Sequence, residues 1–198
     1  FNLEDRDFHY LKSNQFQNEF KYDDTLNLES LDFLLFHYDE KWEIENYSKL
    51  FKKASTLTDI DVNLKIFIKF LNSISNKTTK KIIITTGTIE TRIIKELIAS
   101  SIKINEFLYE ISLNNSKAYL LTNENFFSIT HIISKSSLFI SCHGAFTHIA
   151  SNYKIKIIDI IEKSKKIHYS KITQGMKNYK YLYRDNFEKL SQDILNNS

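Results

Sequence analysis

The chain has 198 residues, 42% of them hydrophobic, and a net charge of +3 in which basic and acidic residues are mixed throughout. This length and composition fit one domain with an extension, the mixed charge argues against a nucleic-acid-binding protein, and no apolar run approaches the roughly 18 residues of a membrane span. The single cysteine, Cys142, excludes a disulfide within the chain and favours a reducing compartment.

The first 30 residues are polar and aromatic without a clear period, and we interpret residues 1–30 as a linker or the tail of a preceding domain. They show no signal-peptide pattern and no initiating Met, so we expect the chain to be a fragment or a processed product. We expect the chain to be cytoplasmic, either free or at the inner face of the plasma membrane. Residues 31–198 are predicted to form the folded domain.

From residue 31 onward, short apolar strands alternate with amphipathic helices. Apolar and β-branched runs predict strands at 31–37, 81–85, 117–121, 138–141, 155–161 and 179–183. Spacing of 3.6 residues predicts helices at 62–74, 89–98, 126–133 and 187–195, with another opening at 147–152. Candidate caps for three of these helices are Asp59 or Asp61, Thr88, and Thr122 or Asn123. This alternation predicts an α/β fold, with an open Rossmann-like parallel sheet and helices on both faces, whose ligands bind at the carboxyl ends of the strands.

The first predicted strand leads into the sequence Asp39-Glu40-Lys41-Trp42. A lysine at the carboxyl end of a strand can reach a diphosphate as a point charge, and Trp42 can anchor the loop. The alternative is a solvated turn with a structural tryptophan.

The second predicted strand leads into Thr85-Thr86-Gly87-Thr88-Ile89-Glu90. Hydroxyls such as that of Thr86, and the backbone near Gly87, can bond phosphate or ribose. The alternative is an ordinary helix start with Thr88 as the cap and Glu90 or Thr91 in the first turn. Because the P-loop and G-x-G-x-x-G patterns are both missing, an NAD cofactor is disfavoured.

The run from Ser141 to Ala150 has the pattern of a strand, a small-residue turn and a helix. Free backbone N–H groups at such a helix start, and the helix dipole, favour a phosphate. His148 can donate to a phosphate oxygen; alternatively it is a partly buried histidine satisfied by backbone. The spacing of His143 and His148 does not fit zinc. We interpret Cys142 as a small buried residue rather than a nucleophile, because the adjacent histidine points the other way on a strand.

These three features, in this order, resemble the C-terminal, donor-binding domain of the family 9 glycosyltransferases, the heptosyltransferase family. The run from Ile140 to Ala150 is similar, without a gap, to the family pattern apolar-Ser-x-Asp-Thr/Ser-Gly-x-x-His-x-Ala. The resemblance spans roughly residues 31–198. It implies one half of a GT-B fold, which consists of two facing Rossmann-like domains, and a metal-independent transferase without a cofactor.

The resemblance also implies the ligand and its contacts. The donor is a nucleotide-diphosphate sugar, from which a hexosyl or heptosyl group passes to a bacterial surface glycan or lipopolysaccharide-type acceptor. The expected partners are therefore this nucleotide sugar and a glycan or lipid-linked acceptor, with peripheral membrane association and no nucleic acid. The donor-binding residues it implies, together with those at the strand ends, are Lys41, Thr86, Gly87, Glu90, His143, Gly144, Ala145, Phe146 and His148.

The chain departs from the family in three consecutive residues of the motif. Where the family has Asp-Thr/Ser-Gly, this chain has His143-Gly144-Ala145. The acid is lost, so the catalytic residue is unknown, and His143 is one candidate. GT-B enzymes bind the acceptor in an N-terminal domain that this chain is too short to contain, so we expect donor binding without transfer. Two alternatives stay open: a sugar-nucleotide epimerase or hydrolase with His143 as acid or base, and a non-catalytic glycan- or protein-binding module.

Overall fold

The computed structural model describes residues 26–45 and 57–198. Residues 32–198 form one compact unit, and residues 26–31 belong to a separate unit that contains a 3₁₀ turn at Leu28–Ser30. Most of the predicted linker or tail at 1–30 lies outside the described residues, so that interpretation stays a prediction. Among the described helices, none combines the length and the apolar character needed to cross a bilayer.

An eight-stranded sheet forms the centre of the unit. Its strands are β1 (Phe33–Tyr38), β2 (Lys81–Thr86), β3 (Ile102–Lys103), β4 (Leu108–Ser112), β5 (Lys117–Leu121), β6 (Leu138–Cys142), β7 (Lys156–Ile161) and β8 (Tyr179–Tyr183). The order across the sheet is β3-β4-β5-β2-β1-β6-β7-β8. The predicted α/β class with a Rossmann-like sheet is confirmed.

Six neighbouring strands of the sheet are parallel to one another: β5, β2, β1, β6, β7 and β8. Counted among themselves in chain order, they run 3-2-1-4-5-6, which is the doubly wound Rossmann order. The chain moves outward from β1 through β2 to β5 and then returns to β6 on the other side of β1. The strand order therefore reverses between β1 and β6, and this topological switch point is where such sheets form their ligand crevice.

In the described part of the chain, six α-helices accompany the sheet. They are α1 (Leu64–Lys77), α2 (Arg92–Ser100), α3 (Phe126–Lys135), α4 (Ala145–Ala150), α5 (Lys166–Ile172) and α6 (Phe187–Asn197). Alternate strand residues such as Phe36 pack with Phe67 of α1 and other apolar residues of α1, α2 and α6 in one core. The intervening residues, such as Leu35, face the opposite side. There α3 contacts β1, and α4 contacts β7.

Four helices begin at a residue whose side chain accepts a hydrogen bond from the first turn: Asn63, Thr91, Asn125 and Asn186. The caps predicted at Asp59 or Asp61, at Thr88, and at Thr122 or Asn123 are therefore wrong. Each true cap lies two or more residues later than predicted. The chain has no proline and only three glycines, the residues that usually mark helix boundaries. Several polar residues before each helix are therefore equally good candidates for its cap.

Two parts of the fold were not predicted from periodicity. Strands β3 and β4 form an antiparallel hairpin, and β4 also pairs antiparallel with β5, so the parallel sheet has an antiparallel edge. Helix α5 buries none of its residues and so carries no apolar stripe. In addition, α4 begins at Ala145, two residues before the predicted start, and is only six residues long.

Candidate functional site

The loops after β1, β2 and β6 meet at the carboxyl edge of the sheet. A Cβ atom placed on Gly87 would lie 2.6 Å from Glu40 Oε2 and 2.9 Å from Asp39 Cβ. A Cβ placed on Gly144 would lie 2.5 Å from Lys41 Nζ. The absence of a side chain at both glycines permits these approaches. The structure thus brings together the three strand ends that stand out in the sequence.

Lys41 lies at the topological switch point. Its ammonium group donates to Asp39 Oδ2 at 2.6 Å and to the carbonyl oxygen of His143 at 3.3 Å, which joins the end of β1 to the end of β6. Burial is the largest single influence and lowers the pKa of Lys41, but Asp39, together with Cys142 and Glu40, raises it by more, so the net pKa of the lysine is raised. With 22% of its side chain exposed, Lys41 is a fixed cation that a ligand can still reach.

Trp42 anchors the loop that carries this lysine. Its indole Nε1 donates to the carbonyl oxygen of His37 at 3.0 Å, and its ring packs against Phe36 and Tyr38 with centroids 4.8 and 5.5 Å away. The Asp39 side chain caps the same turn by accepting from the backbone N–H of Lys41 at 3.1 Å. The tryptophan is therefore structural, and the loop it fixes presents the lysine.

His143 is held by a buried carboxylate from the neighbouring strand β7. Its Nδ1 lies 2.6 Å from Asp159 Oδ2, and the same carboxylate accepts from Tyr179 Oη at 2.7 Å and from Thr147 Oγ1 at 3.1 Å. Asp159 is fully buried. A carboxylate at Nδ1 fixes the proton on that nitrogen and leaves Nε2 of the neutral ring as an acceptor. This pairing is the one used by a histidine general base.

Asp159 was not predicted from the sequence, although it carries a signal. It is the one acidic residue inside the apolar strand β7, with isoleucines on both sides, and a charged residue buried in such a strand requires a partner. His143 stands where the resemblance implies an acid, and Asp159 of the neighbouring strand places a carboxylate beside it.

Arg184, the residue after β8, is also absent from the sequence predictions. Its Nε donates to the Thr58 carbonyl at 2.9 Å, and its Nη1 donates to the Lys41 carbonyl at 2.8 Å and to Cys142 Sγ at 3.4 Å. Glu162 Oε2 lies 4.0 Å from Nε. Within the described part of the chain, Nη2 is buried and has no hydrogen-bond partner. An unmade buried donor costs about 1–3 kcal/mol, so this atom requires an explanation.

A cavity of about 60 Å³ opens beside this arginine, at the carboxyl ends of β6, β7 and β8. Its lining includes Lys41, His143, Lys165, Tyr169 and Arg184. It therefore joins the switch-point lysine, the histidine with its carboxylate, and the arginine with an unused donor.

The remaining predicted residues divide into two groups. Phe146 and His148 lie beside the site: Phe146 meets the ring of His37 at 5.0 Å, and His148 meets the ring of His143 at 5.2 Å. Burial, and then the neighbouring His143, lowers the pKa of His148. Ala145 is exposed at the start of α4, so its backbone is accessible.

Thr86 and Glu90 are placed differently. Thr86 is buried at the end of β2, in register with Tyr38. Glu90 is exposed and pairs with Lys95 at 3.7 Å, and no hydrogen bond or ion pair among the described residues joins it to Lys41. The predicted helix-dipole contribution is also small, because α4 has fewer than two turns and the Gly144 N–H already points to Thr147 Oγ1 at 3.4 Å.

Cys142 is buried, and burial raises the pKa of its thiol to about 12. The prediction that Cys142 is buried is confirmed. A raised pKa keeps the thiol protonated at neutral pH, which argues against a role as nucleophile. In the described ranges, 26–45 and 57–198, no three His, Cys, Asp or Glu side chains are arranged to hold a metal ion.

A second, wider groove of about 570 Å³ lies at the opposite edge of the sheet. Its lining includes Lys154, Lys156 and Lys180, near the amino ends of β7 and β8. It is larger and carries positive charge, but ligands of open parallel sheets bind at the carboxyl ends. The carboxyl edge is therefore the candidate site.

The chain matches no protein-family model and no curated protein.

Proposed function

We propose that residues 32–198 bind the nucleotide-diphosphate sugar donor of a glycosyltransferase at the carboxyl edge between β1 and β6. The observation that carries the proposal is the position of Lys41, whose ammonium group spans the switch point from Asp39 to the carbonyl of His143. A sheet in the order 3-2-1-4-5-6 forms its ligand crevice at this point. The resemblance of the three strand-end motifs to family 9 glycosyltransferases supports the same ligand.

The chemistry of the edge suits a diphosphate. Lys41 supplies a fixed positive charge, and Gly144 adds no side chain beside its ammonium group. A cation fixed before the ligand binds stabilises the charge that builds on a departing nucleotide diphosphate, and it does so without reorganisation. Arg184 and Lys165 add positive charge along the same edge.

The acceptor follows from the family resemblance alone. In that family a second domain binds a surface glycan or lipopolysaccharide-type acceptor, and the donor domain works at the inner face of the plasma membrane. Donor binding, rather than turnover, is therefore the property to test on this chain.

A thermal-shift panel of ADP, UDP, GDP and CMP, each with its sugar derivatives, tests the proposal. A ligand at about 100 times its Kd stabilises the fold by about 2.7 kcal/mol. For a domain of this size, that energy raises Tm by roughly 5–10 °C. We expect at least one nucleotide to give such a shift and Lys41→Ala to remove most of it.

Lys80→Ala is the matched control. Lys80 is also a lysine in an ion pair, with Asp32 at 3.3 Å, but it lies at the amino edge, next to the start of β2. The proposal fails if no nucleotide shifts Tm, or if Lys41→Ala and Lys80→Ala reduce the shift equally. The absence of any nucleotide shift would favour the non-catalytic binding module instead.

A second candidate, a sugar-nucleotide epimerase or hydrolase, is favoured by the pairing of His143 with Asp159. A histidine whose Nδ1 is held by a buried carboxylate can take or give a proton at Nε2 on a bound sugar nucleotide. Conversion of UDP-GlcNAc without any acceptor, lost in His143→Gln and reduced in Asp159→Asn, would establish it. Unchanged substrate after long incubation with the folded protein would exclude this activity on that substrate.

A further inference from the structure

Arg184, which lines the cavity at the carboxyl ends of β6, β7 and β8, is held in place and has one buried donor without a partner among the described residues. The guanidinium group is held on one side, by Nε to the Thr58 carbonyl and by Nη1 to the Lys41 carbonyl, while Nη2 has no partner in the described part of the chain. Only 3% of the side chain is exposed. A donor that is both unused and immobilised is ready to receive an acceptor, because little side-chain entropy is lost when it binds.

The charges around the cavity identify the kind of acceptor. Lys41 and Lys165 line it together with Arg184. The one carboxylate in the lining, that of Glu162, is already occupied: it accepts from the Thr58 N–H at 2.7 Å and from the Thr58 hydroxyl at 3.0 Å. The free hydrogen-bonding capacity of the cavity therefore belongs mostly to cationic donors, which bind an oxyanion.

The size of the cavity limits which oxyanions it can hold. A volume of about 60 Å³ holds about four to six water-sized groups. A phosphate, with one phosphorus and four oxygens, is of this size.

We propose that the cavity lined by Lys41, Lys165 and Arg184 is a binding site for a phosphoryl group, with Arg184 Nη2 as its buried donor. The group is either free inorganic phosphate or the terminal phosphoryl of a larger ligand that enters from the switch point. Tyr169 and His143 form part of the same wall, so such a ligand lies within reach of the histidine. The site shares Lys41 with the proposed diphosphate site. For free phosphate it requires no nucleotide, and for the terminal phosphoryl of a nucleotide it rests on the proposed function.

Calorimetric titration with inorganic phosphate tests the site directly. With phosphate up to about 10 mM, a Kd of about 1 mM is measurable, and we expect one site per chain. Arg184→Lys keeps the charge but cannot reproduce the forked geometry, so phosphate should bind at least about tenfold more weakly. Lys165→Gln, on an exposed residue, should weaken phosphate binding about two- to fivefold.

Lys163→Gln is the control. Lys163 and Lys165 lie in the same 3₁₀ turn and both are exposed, but only Lys165 lines the cavity. Because the lysine variants leave the buried arginine untouched, they test the site even if Arg184→Lys does not fold. The proposal is overturned if phosphate does not bind, or if the Lys165 and Lys163 variants bind it equally.

A competition arm distinguishes the two sources of the phosphoryl group. ADP or UDP that displaces phosphate, with both affinities reduced by Lys165→Gln, assigns the site to the terminal phosphoryl of a nucleotide. Phosphate binding that is sensitive to Lys165 and not displaced assigns the site to free phosphate. If phosphate binds with sensitivity to Lys165 and no nucleotide binds at all, the cavity site stands and the proposed function fails. If a nucleotide binds and phosphate does not, the proposed function stands and the cavity site fails.

Discussion

The three glycines of the chain provide a graded test of how closely the strand-end loops approach one another. Gly144 has φ −177°, an extended conformation open to any residue, and no described glycine has a positive φ. Replacement of each glycine by alanine therefore probes space rather than backbone conformation. The two site glycines have close neighbours, whereas Gly175 has no atom within 4 Å of its added Cβ.

The expected magnitudes follow from what each methyl group would meet. In Gly87→Ala it meets the fixed Asp39 Cβ at 2.9 Å and Asp39 Cα at 3.2 Å, so the backbone must shift, at about 1–3 kcal/mol. In Gly144→Ala its one close neighbour is the flexible end of Lys41, at 2.5 Å, so the lysine shifts and its bonds weaken, at about 1 kcal/mol. Gly175→Ala should be neutral, or stabilising by up to about 1 kcal/mol through the unfolded state.

Urea denaturation of the three variants beside the parent chain measures these differences. The expected order of unfolding free energy is Gly87→Ala lowest, then Gly144→Ala, then the parent, with Gly175→Ala equal or highest. For a chain of this length, each kcal/mol corresponds to about 2–4 °C in Tm. If Gly87→Ala proves as stable as Gly175→Ala, the loops after β1 and β2 do not meet as described.

Three further predictions concern buried polar groups. Burial, and then Lys41, lowers the pKa of His37 from 6.5 to about 3. On acidification the unfolded chain therefore protonates this histidine before the folded chain does, and the unfolding free energy should fall by about 1.4 kcal/mol per pH unit below pH 6.5. Urea titrations from pH 5 to 7 should show a shallower dependence of the unfolding free energy on pH in His37→Gln. An unchanged slope would contradict a neutral buried His37. Asp159→Asn should lower the unfolding free energy by about 2–3 kcal/mol, because it disturbs three hydrogen bonds, and Tyr179→Phe by about 1 kcal/mol, because it removes a single hydrogen bond. A larger loss in Tyr179→Phe than in Asp159→Asn, measured by chemical denaturation, would refute the central position of the carboxylate. Cys142, buried with its pKa raised to about 12, should react with a maleimide only as fast as the protein unfolds, and labelling of the native protein within minutes would show an open site.

The strongly apolar elements could be predicted from the sequence. Strands β5 and β8 have the predicted bounds, 117–121 and 179–183, and the parallel α/β class is as predicted. The hairpin of β3 and β4 was missed because β3 has only two, exposed residues and β4 buries only two of its five. Without prolines, and with several polar residues before each helix, propensity alone could not select the caps.

The part of the site that could be predicted lies in the loops after β1, β2 and β6, where glycines and polar residues follow apolar runs. Lys41, Gly87 and Gly144 stand at strand ends, and a parallel sheet brings such ends to one edge. Asp159 and Arg184 join the site through the pairing of β6 with β7 and of β7 with β8. That strand order is a tertiary property, which no local pattern in the sequence encodes.

The central claim is that a diphosphate ligand binds at the carboxyl edge between β1 and β6. Amide hydrogen exchange with and without saturating ADP or UDP tests it most directly, because both edges of the sheet are observed in one experiment. We predict slower exchange at residues 39–42 and 142–148 and no change at residues 154–156 and 178–180, which border the lysine-lined groove. Protection confined to that groove, or no protection at either edge, would contradict the account.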